Sequence, residues 1–260
     1  AKIAVIRLPR ISNFTDIAPL EAVDELDVSY VSNISQFGDP DVVIIPGSKN
    51  TISDLLWMRQ NGLEGKILRH AAKGGIVFGI CGGYQMLGQS ISDPTGAEQK
   101  GTVRGMGLLP VTTVFEQEKR RTRVSGRFAK VGGALAEMSG VCYEGYEIHM
   151  GRTVLSKGTV PLVYMEEEGE QRQDGAQSDH VYGCYMHGIF DMSETVKTFL
   201  AAVLRKKGID PSKITVRDRN AYKEEQYDRL ASIVRENLNM EAVYKIIEKG
   251  NEASCSLLSE

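Results

Sequence analysis

Apolar runs and amphipathic stretches alternate along the first ninety residues of the chain, a pattern typical of a parallel α/β sheet. The predicted strands are 2–8, 27–31, 41–45 and 76–80, and the predicted helices are 16–26, 51–59 and 63–72. In such a sheet, ligands gather outside the carboxyl ends of the strands. The loops that follow the strands 41–45 and 76–80 are therefore expected to be neighbours in space.

The pattern changes in the middle of the chain, where strand-like segments are separated by glycine and polar turns. The predicted strands here are 111–115, 122–128, 143–149, 162–165 and 180–186. They suggest antiparallel additions to the edge of the sheet. The charged stretch 166–175 (EEEGEQRQDG) is predicted to be a solvated turn or loop.

The last third of the chain has helical periodicity. A helix is predicted over 193–207 with Ser193 as its N-cap, and two further helices over 220–248, split near 237–239. We therefore expect an α/β domain over 1–208, a helical extension packed on it over 209–250, and a tail over 251–260.

Composition narrows the function classes. The chain has 260 residues and a net charge of −3, and its short cationic stretch 119–123 (KRRTR) fits a solvated strand or loop better than a nucleic-acid site. No segment is long and apolar enough to predict a membrane span or signal peptide, so neither nucleic acid nor a membrane is an expected partner.

The four cysteines are far apart, which predicts a reduced, cytoplasmic protein without a structural metal. The chain begins with Ala1 rather than Met, which suggests a piece of a longer protein.

The segment 77–88 (VFGICGGYQMLG) carries the strongest chemical signal. Cys81 lies between an apolar strand and a helix start, with Gly79 two residues before it and Gly83 two residues after it. This is the layout of a nucleophile elbow, where side chains at the flanking positions would crowd a sharp turn. A thiol at a helix N-terminus is a usable nucleophile, although a buried structural cysteine has the same local pattern.

A cysteine nucleophile needs a base, and two of the four histidines follow predicted strands. His187 is the favoured base and His149 the second candidate, whereas His70 and His180 are better explained as surface or partly packed residues. Either candidate could instead be a histidine satisfied in the core.

An acyl-transfer site also needs donors for an oxyanion. The candidates are the backbone N–H of Gly82 and an N–H in the loop of Gly47 and Ser48, where glycine permits close approach. A phosphate loop is the competing interpretation of PGSKNT (46–51), but this segment lacks the GxxxxGK[ST] spacing.

Four segments in series resemble a known family: PGSKNT (46–51), GICGGYQMLG (79–88), GYEIHMG (145–151) and MHGIFD (186–191). They are similar to the glutamine amidotransferase domains of cobyric acid synthases, of the CobB/CobQ type, and the resemblance extends to EQYDRLASIVRENLNM (225–240). It implies a flavodoxin-like class I glutamine amidotransferase fold. The GxCxGxQ segment alone would indicate only the broad class I group.

The resemblance implies that Cys81 attacks the side-chain amide of glutamine and that His187 delivers the proton to the leaving ammonia. In the full enzymes, ammonia passes to carboxylates of adenosylcobyrinic acid a,c-diamide, giving adenosylcobyric acid on the way to vitamin B12. An N-terminal synthetase domain that binds ATP and the corrinoid is thus the expected partner, and ATP and Mg are expected only there. This chain would need no cofactor or metal of its own.

The resemblance leaves the group that orients the histidine open. The broader class I pattern has a glutamate two residues after the histidine, where this chain has Ile189. A Cys–His dyad is therefore expected, with Asp191 as a possible orienting group or a cap for the following helix. A loosely held His187 would make the isolated domain slow until a synthetase docks.

The residues that bind glutamine are less defined. Gln85 matches the Gln of GxCxGxQ and is expected to shape the pocket, unless it is a helix-surface amide. Arg127 is a candidate for the α-carboxylate, or a solvated strand residue. Glu147 and His149 are expected to line the pocket or face the corrinoid domain.

Three rival functions remain at this level. One is a glutaminase of a sister branch, serving cobyrinic acid a,c-diamide synthesis or peptidoglycan-precursor amidation. The others are a catalytically silent docking module and a cysteine hydrolase or peptidase on the same fold.

Overall fold

The computed structural model describes residues 1–167, 170–213 and 219–256. The strands are β1 Lys2–Ile6, β2 Ile11–Ser12, β3 Asp27–Val31, β4 Val42–Ile45, β5 Gly47–Ser48, β6 Ile76–Ile80, β7 Ser90–Asp93, β8 Gly101–Arg104, β9 Val111–Phe128, β10 Cys142–Leu155, β11 Val163–Glu167, β12 Glu170–Asp174, β13 Ala176–Ser178 and β14 Val181–Cys184. The helices are α1 Ala18–Glu21, α2 Thr51–Gln60, α3 Leu63–Ala72, α4 Gly82–Leu87, α5 Ser193–Lys206, α6 Arg219–Asn237 and α7 Met240–Ser256, with 3-10 turns at Phe14–Asp16, Gly133–Met138 and Pro211–Lys213.

The central sheet has the strand order β13-β14-β6-β4-β1-β3. Its strands from β14 to β3 are parallel, and β13 pairs antiparallel with β14 at the edge. Every residue of β4 and β6 is buried, which explains their unbroken apolar sequences, because a parallel strand in the middle of such a sheet is covered on both faces. The predicted α/β class with a mostly parallel sheet is confirmed.

Most of the middle strands form a second sheet instead of extending the first. Its order is β12-β11-β9-β7-β8, with β10 also paired to β9. The segments 111–115 and 122–128, predicted as two strands, are one strand of 18 residues, β9. The antiparallel pairing of β9 with β10 occupies nearly the full length of both strands, so these backbone groups are not offered to the central sheet.

The prediction of a solvated loop over 166–175 is wrong, because most of this segment belongs to β11 and β12. The strand β12 pairs antiparallel with β11, and two of its polar residues have buried partners. Arg172 donates to the buried carboxylate of Glu147 at 2.5 Å, and the buried Asp174 accepts the amide of Tyr185 at 2.8 Å. Arg172 and Asp174 thus have buried partners, whereas Glu170, Gln171 and Gln173 are exposed, so the expectation of a loop is wrong while that of solvation holds for these three residues.

The helix predicted over 16–26 is replaced by the 3-10 turn Phe14–Asp16 and the four-residue helix α1. Asp16, expected inside or at the start of that helix, is buried and bonds to a distant part of the chain. At the start of α5, the N-cap is Met192 without a side-chain hydrogen bond, and Ser193 is the first helical residue. The predicted Ser193 cap is therefore wrong.

The chain divides into two compact units, residues 1–216 and 217–260. In the second unit, α6 and α7 are separated at Leu238 and Asn239, as predicted, and the Asn239 side chain accepts the amide of Ala242 at 3.1 Å. The tail predicted over 251–260 is helical as far as Ser256, and residues 257–260 lie outside the described part of the chain. Among the described helices, none combines the length and apolarity that a membrane crossing requires.

Replacing Gly83 with alanine should destabilise the fold severely. A Cβ at this position would overlap the backbone carbonyl of Ile45, which cannot move aside as a flexible side chain could. We expect a loss of at least about 2–3 kcal/mol in the free energy of unfolding, measured by urea denaturation.

Gly65→Ala is the matched control, because its Cβ would meet only the Arg69 guanidinium at 3.8 Å and alanine favours a helix by up to about 1 kcal/mol. Equal stability of the two variants would contradict the close packing of the elbow against β4.

Candidate active site

Cys81 occupies a sharp turn between β6 and α4. Its φ of 51° and ψ of −106° lie in a region that residues other than glycine rarely adopt. The flanking glycines make this turn possible: a Cβ on Gly79 would lie 2.7 Å from the backbone nitrogen of Tyr84, and one on Gly83 would overlap the carbonyl of Ile45. The geometry is that of the nucleophile elbow predicted from the glycine spacing.

The loop containing β5 lies directly against this turn, as the sheet-edge argument predicts. A Cβ on Gly82 would lie 2.9 Å from the backbone nitrogen of Ser48, and one on Gly47 would lie 3.1 Å from Cε1 of His187. The Ser48 hydroxyl donates to the buried Asp54 at 2.6 Å, which fixes the loop. The two loops that carry the candidate oxyanion donors thus pack closely against each other, and Gly47 lies beside His187.

His187 is fully buried and held by several groups at once. Its backbone exchanges two hydrogen bonds with Tyr146, of 2.9 and 3.1 Å, and the two rings stack at 5.2 Å with an angle of 24°. Its Nδ1 lies 2.7 Å from Oδ2 of Asp16, and the amide of Gly188 donates to Oδ1 of the same carboxylate at 2.9 Å. An Nδ1–H held by Asp16 leaves Nε2 for proton transfer.

The electrostatics of the site favour the charged imidazole. Burial by itself opposes the imidazolium form, but hydrogen bonds with Asp16 and with the Cys81 sulfur, together with the negative charges of these groups, raise the pKa of His187 to about 10. The Cys81 sulfur also lies 3.8 Å from the carbonyl oxygen of Ile148. Cys81 thus lies beside both the imidazole of His187 and strand β10.

A carboxylate that contacts Nδ1 of His187 is that of Asp16, from the N-terminal segment, and the orienting role considered for Asp191 stays a prediction. Asp191 donates its backbone amide to Gly188 at 2.8 Å, and Ile189 is buried as an apolar residue. The expectation of a loosely held histidine is thus corrected, because Asp16 holds both the ring and the next backbone amide, while the catalytic roles of these residues stay predictions. The position of Asp16, 171 residues before His187 in the chain, gave no local signal.

Gln85 is buried, so it is not a helix-surface amide. It donates to the hydroxyl of Tyr185 at 3.0 Å and accepts from Thr51 at 3.1 Å. A Cβ on Gly82 would lie 3.2 Å from the same Thr51 hydroxyl. Gln85 therefore links Tyr185 to Thr51 beside the elbow through its two hydrogen bonds. A contact between Gln85 and the substrate remains a prediction.

A second acidic residue beside the elbow, Glu98, was not indicated by the sequence pattern. It accepts from the Thr51 hydroxyl and from the Ile52 amide, both at 3.2 Å, at the start of α2. Burial raises the pKa of Glu98 above its ordinary value. The loop that carries Glu98 is held in place because the Asp93 carboxylate accepts four hydrogen bonds from the backbone N–H groups of residues 96–99.

Glu147 and His149 lie on β10, on the strand that borders His187. Glu147 is fully buried and pairs with Arg172 at 2.5 Å and Arg120 at 3.1 Å, while its other oxygen lies 3.6 Å from Nε2 of His149. Burial opposes ionisation of Glu147, but His149 and the two guanidinium groups lower its pKa overall. The His149 ring stacks on Tyr185 at 3.7 Å. These residues support the strand beside the site, and the structure shows no contact between them and Cys81.

Arg127 lies on β9 with an exposed side chain, and its guanidinium lies 6.0 Å from the centre of the Tyr164 ring. This is the environment of a solvated strand residue, and a role in binding glutamine stays a prediction. Within the described ranges, no three His, Cys, Asp or Glu side chains converge in the way a metal ion requires.

A cysteine on a strained turn, a buried histidine with its own carboxylate and a glycine-lined loop define an α/β protein of the class I amidotransferase type. Residues 2–195 match the family described as the CobB/CobQ-like glutamine amidotransferase domain, and the chain belongs to this family.

Relatives of known name agree with this assignment. The cobyric acid synthase of Ruminiclostridium cellulolyticum is 52% identical over 254 residues, which are 96% of this chain and 49% of that protein. The cobyric acid synthase of Lachnoclostridium phytofermentans is 44% identical over 258 residues, 95% of this chain and 50% of that protein. The chain thus spans about half the length of these relatives.

A solved structure of PurLQS from Thermotoga maritima is similar in fold, with a TM-score of 0.59 at 17% identity, and the match covers 79% of this chain and 98% of that one. At this identity the likeness supports the fold alone.

Removing the Asp16 carboxylate should lower the pKa of His187. In the wild type, NMR of the imidazole should show a charged ring up to a pH of about 10, and in Asp16→Asn the transition should move to lower pH because the hydrogen bond and the negative charge are lost. His70 is an internal control, since burial holds its pKa below the ordinary value independently of Asp16. An unchanged His187 transition in Asp16→Asn would contradict the contact.

The same shift predicts a pH dependence of stability. The pKa of His187 is raised from 6.5, so its contribution to the free energy of unfolding is complete below pH 6.5 and is lost as the pH rises through about 10. Urea denaturation between pH 6 and 10 should show this decline in the wild type and a weaker one in Asp16→Asn, and parallel curves would contradict the assignment.

Proposed function

We propose that this chain hydrolyses L-glutamine to glutamate and ammonia. The observation that carries the proposal is the joint presence, at one sheet edge, of the Cys81 elbow, the buried His187 and its carboxylate partner Asp16. This arrangement is that of a nucleophile, a base and an orienting acid. Family membership supports an amide as the substrate.

The reaction proceeds in two steps. The Cys81 thiol gives its proton to Nε2 of His187, and its sulfur attacks the side-chain amide carbon of glutamine. The oxyanion that forms accepts hydrogen bonds from the N–H groups of Gly82 and of the Gly47–Ser48 loop. His187 gives a proton from Nε2 to the nitrogen, and ammonia leaves with cleavage of the C–N bond. Water, deprotonated by His187, then attacks the γ-glutamyl thioester, and glutamate leaves as the C–S bond breaks.

Glu98 places a negative charge in the pocket, which suits the charged amino group of an amino-acid substrate. Its carboxylate lies beside Thr51, which also borders Gly82 and Gln85. A fixed anion at this point complements the α-ammonium group of glutamine.

The ammonia is used by a second part of a longer protein. The relatives are cobyric acid synthases of about twice the length, which supports a separate synthetase half. In this proposal that half binds ATP, Mg and the corrinoid, and amidates adenosylcobyrinic acid a,c-diamide with the ammonia made here. The chain then acts in the cytoplasm in cobalamin biosynthesis.

The structure also changes what we expect of this chain on its own. The hypothesis of a slow isolated domain rested on a loosely held histidine, whereas Asp16, Tyr146 and Gly188 hold His187 within this chain. Glutamine hydrolysis should therefore be measurable without the synthetase half.

Replacing Cys81 with serine should abolish glutamate release from glutamine, with a loss on the order of 10⁴-fold or more, because the attacking atom is removed. Cys142→Ser is the control, since Cys142 is exposed and lies outside the site. A glutamine-mimicking electrophile should label Cys81, and glutamine should block the labelling. Equal glutamate release by the wild type and Cys81→Ser would overturn the proposed function.

A further inference from the structure

The segment that carries Asp16 also brings a second polar residue to His187. Asn13 follows β2 directly and has a left-handed backbone, with a φ of 50°. Asparagine tolerates this conformation better than most residues, which accounts for its presence at the turn. The strand before it pairs with β5, so this segment is fixed against the candidate oxyanion loop.

The Asn13 amide lies against the imidazole ring. Its Nδ2 is 3.0 Å from Nε2 and 3.3 Å from Nδ1 of His187. The two ring nitrogens point in different directions within the ring plane, so an amide close to both lies over a face of the ring. The ring is thus contacted on its faces by Asn13 and Tyr146, and at its edge by Asp16.

This placement matters because Nε2 is the atom that exchanges protons in the proposed reaction. An amide over the ring face is outside the ring plane, so it does not meet the in-plane lone pair or N–H of Nε2. Its contact with the face instead limits how far the ring can tilt, and it does so in both protonation states. Asn13 therefore holds the ring without occupying the direction along which Nε2 exchanges its proton.

We propose that Asn13 is a positioning residue for His187, which keeps the ring aligned with Cys81 while the proton moves through Nε2. The proposal rests on the proposed glutaminase function. The titratable groups that face His187 are Asp16 from the N-terminal segment, Cys81 from the elbow and Tyr146 from β10.

The first test is the rate of glutamine hydrolysis. Asn13→Ala should lower kcat about 10- to 100-fold with little change in KM, because a ring that can tilt is less often aligned with Cys81 and small misplacements of catalytic groups cost rates of this order. Asn13→Gly relieves any backbone strain from the left-handed φ but also removes the amide, and it should be equally impaired. Phe14→Ala is the neighbouring control, because Phe14 is 64% exposed, and it should keep the wild-type rate.

The second test does not depend on activity. Asn13→Asp places a carboxylate beside both ring nitrogens and should move the imidazole titration of His187, followed by NMR, to higher pH, whereas the Phe14→Ala titration should match the wild type. A moved titration shows that residue 13 faces the ring, and the split between kcat and KM in the first test separates a positioning role from a purely structural one.

Three results would overturn the proposal: an unchanged or increased kcat in a folded Asn13→Ala, recovery of the rate in Asn13→Gly, or an unmoved titration in Asn13→Asp. If the wild type and Cys81→Ser release glutamate equally, the proposed function fails, and the titration still decides whether Asn13 acts on His187.

Discussion

The hydrogen bonds between Asp16 and the His187–Gly188 pair join two parts of the chain that are 171 and 172 residues apart. One carboxylate oxygen accepts from the ring and the other from the next backbone amide, so the contact fixes both the orientation of the imidazole and the course of the segment after β14 that carries it. Asp16 and His187 are both buried, where an unpaired charge would be costly. The carboxylate of Asp16 and the imidazolium of His187 therefore each offset the cost of burying the other.

Strand β10 links this pair to the second sheet. Tyr146 pairs with His187 through its backbone, and the carbonyl of Ile148 lies 3.8 Å from the Cys81 sulfur. Successive side chains of a strand point to opposite faces, so the buried Glu147 reaches the guanidinium groups of Arg120 and Arg172 while Tyr146 reaches the histidine. The ion pairs of Glu147 thus stabilise the strand that borders Cys81, which gives this polar network a structural role next to the site.

Local patterns predicted the central sheet well, because the burial of β4 and β6 on both faces leaves unbroken apolar runs. They failed over 166–175, where charge usually marks a loop. Arg172 and Asp174 are instead inward-facing strand residues whose partners, Glu147 and Tyr185, are distant in sequence. The predicted helix at 16–26 failed for a similar reason, since Asp16 is held by His187 and not by a helix end.

The elbow at Cys81 and its glycine frame could be predicted from the sequence, because the steric demands of such a turn act within a few residues and restrict which side chains can occur there. The tertiary structure alone decided that Asp16 is the acid on His187, that Asn13 lies on its ring, and that Glu98 stands beside the elbow. These contacts join residues far apart in the chain. A long-range contact imposes no spacing or periodicity on its neighbours, so only the folded chain reveals it.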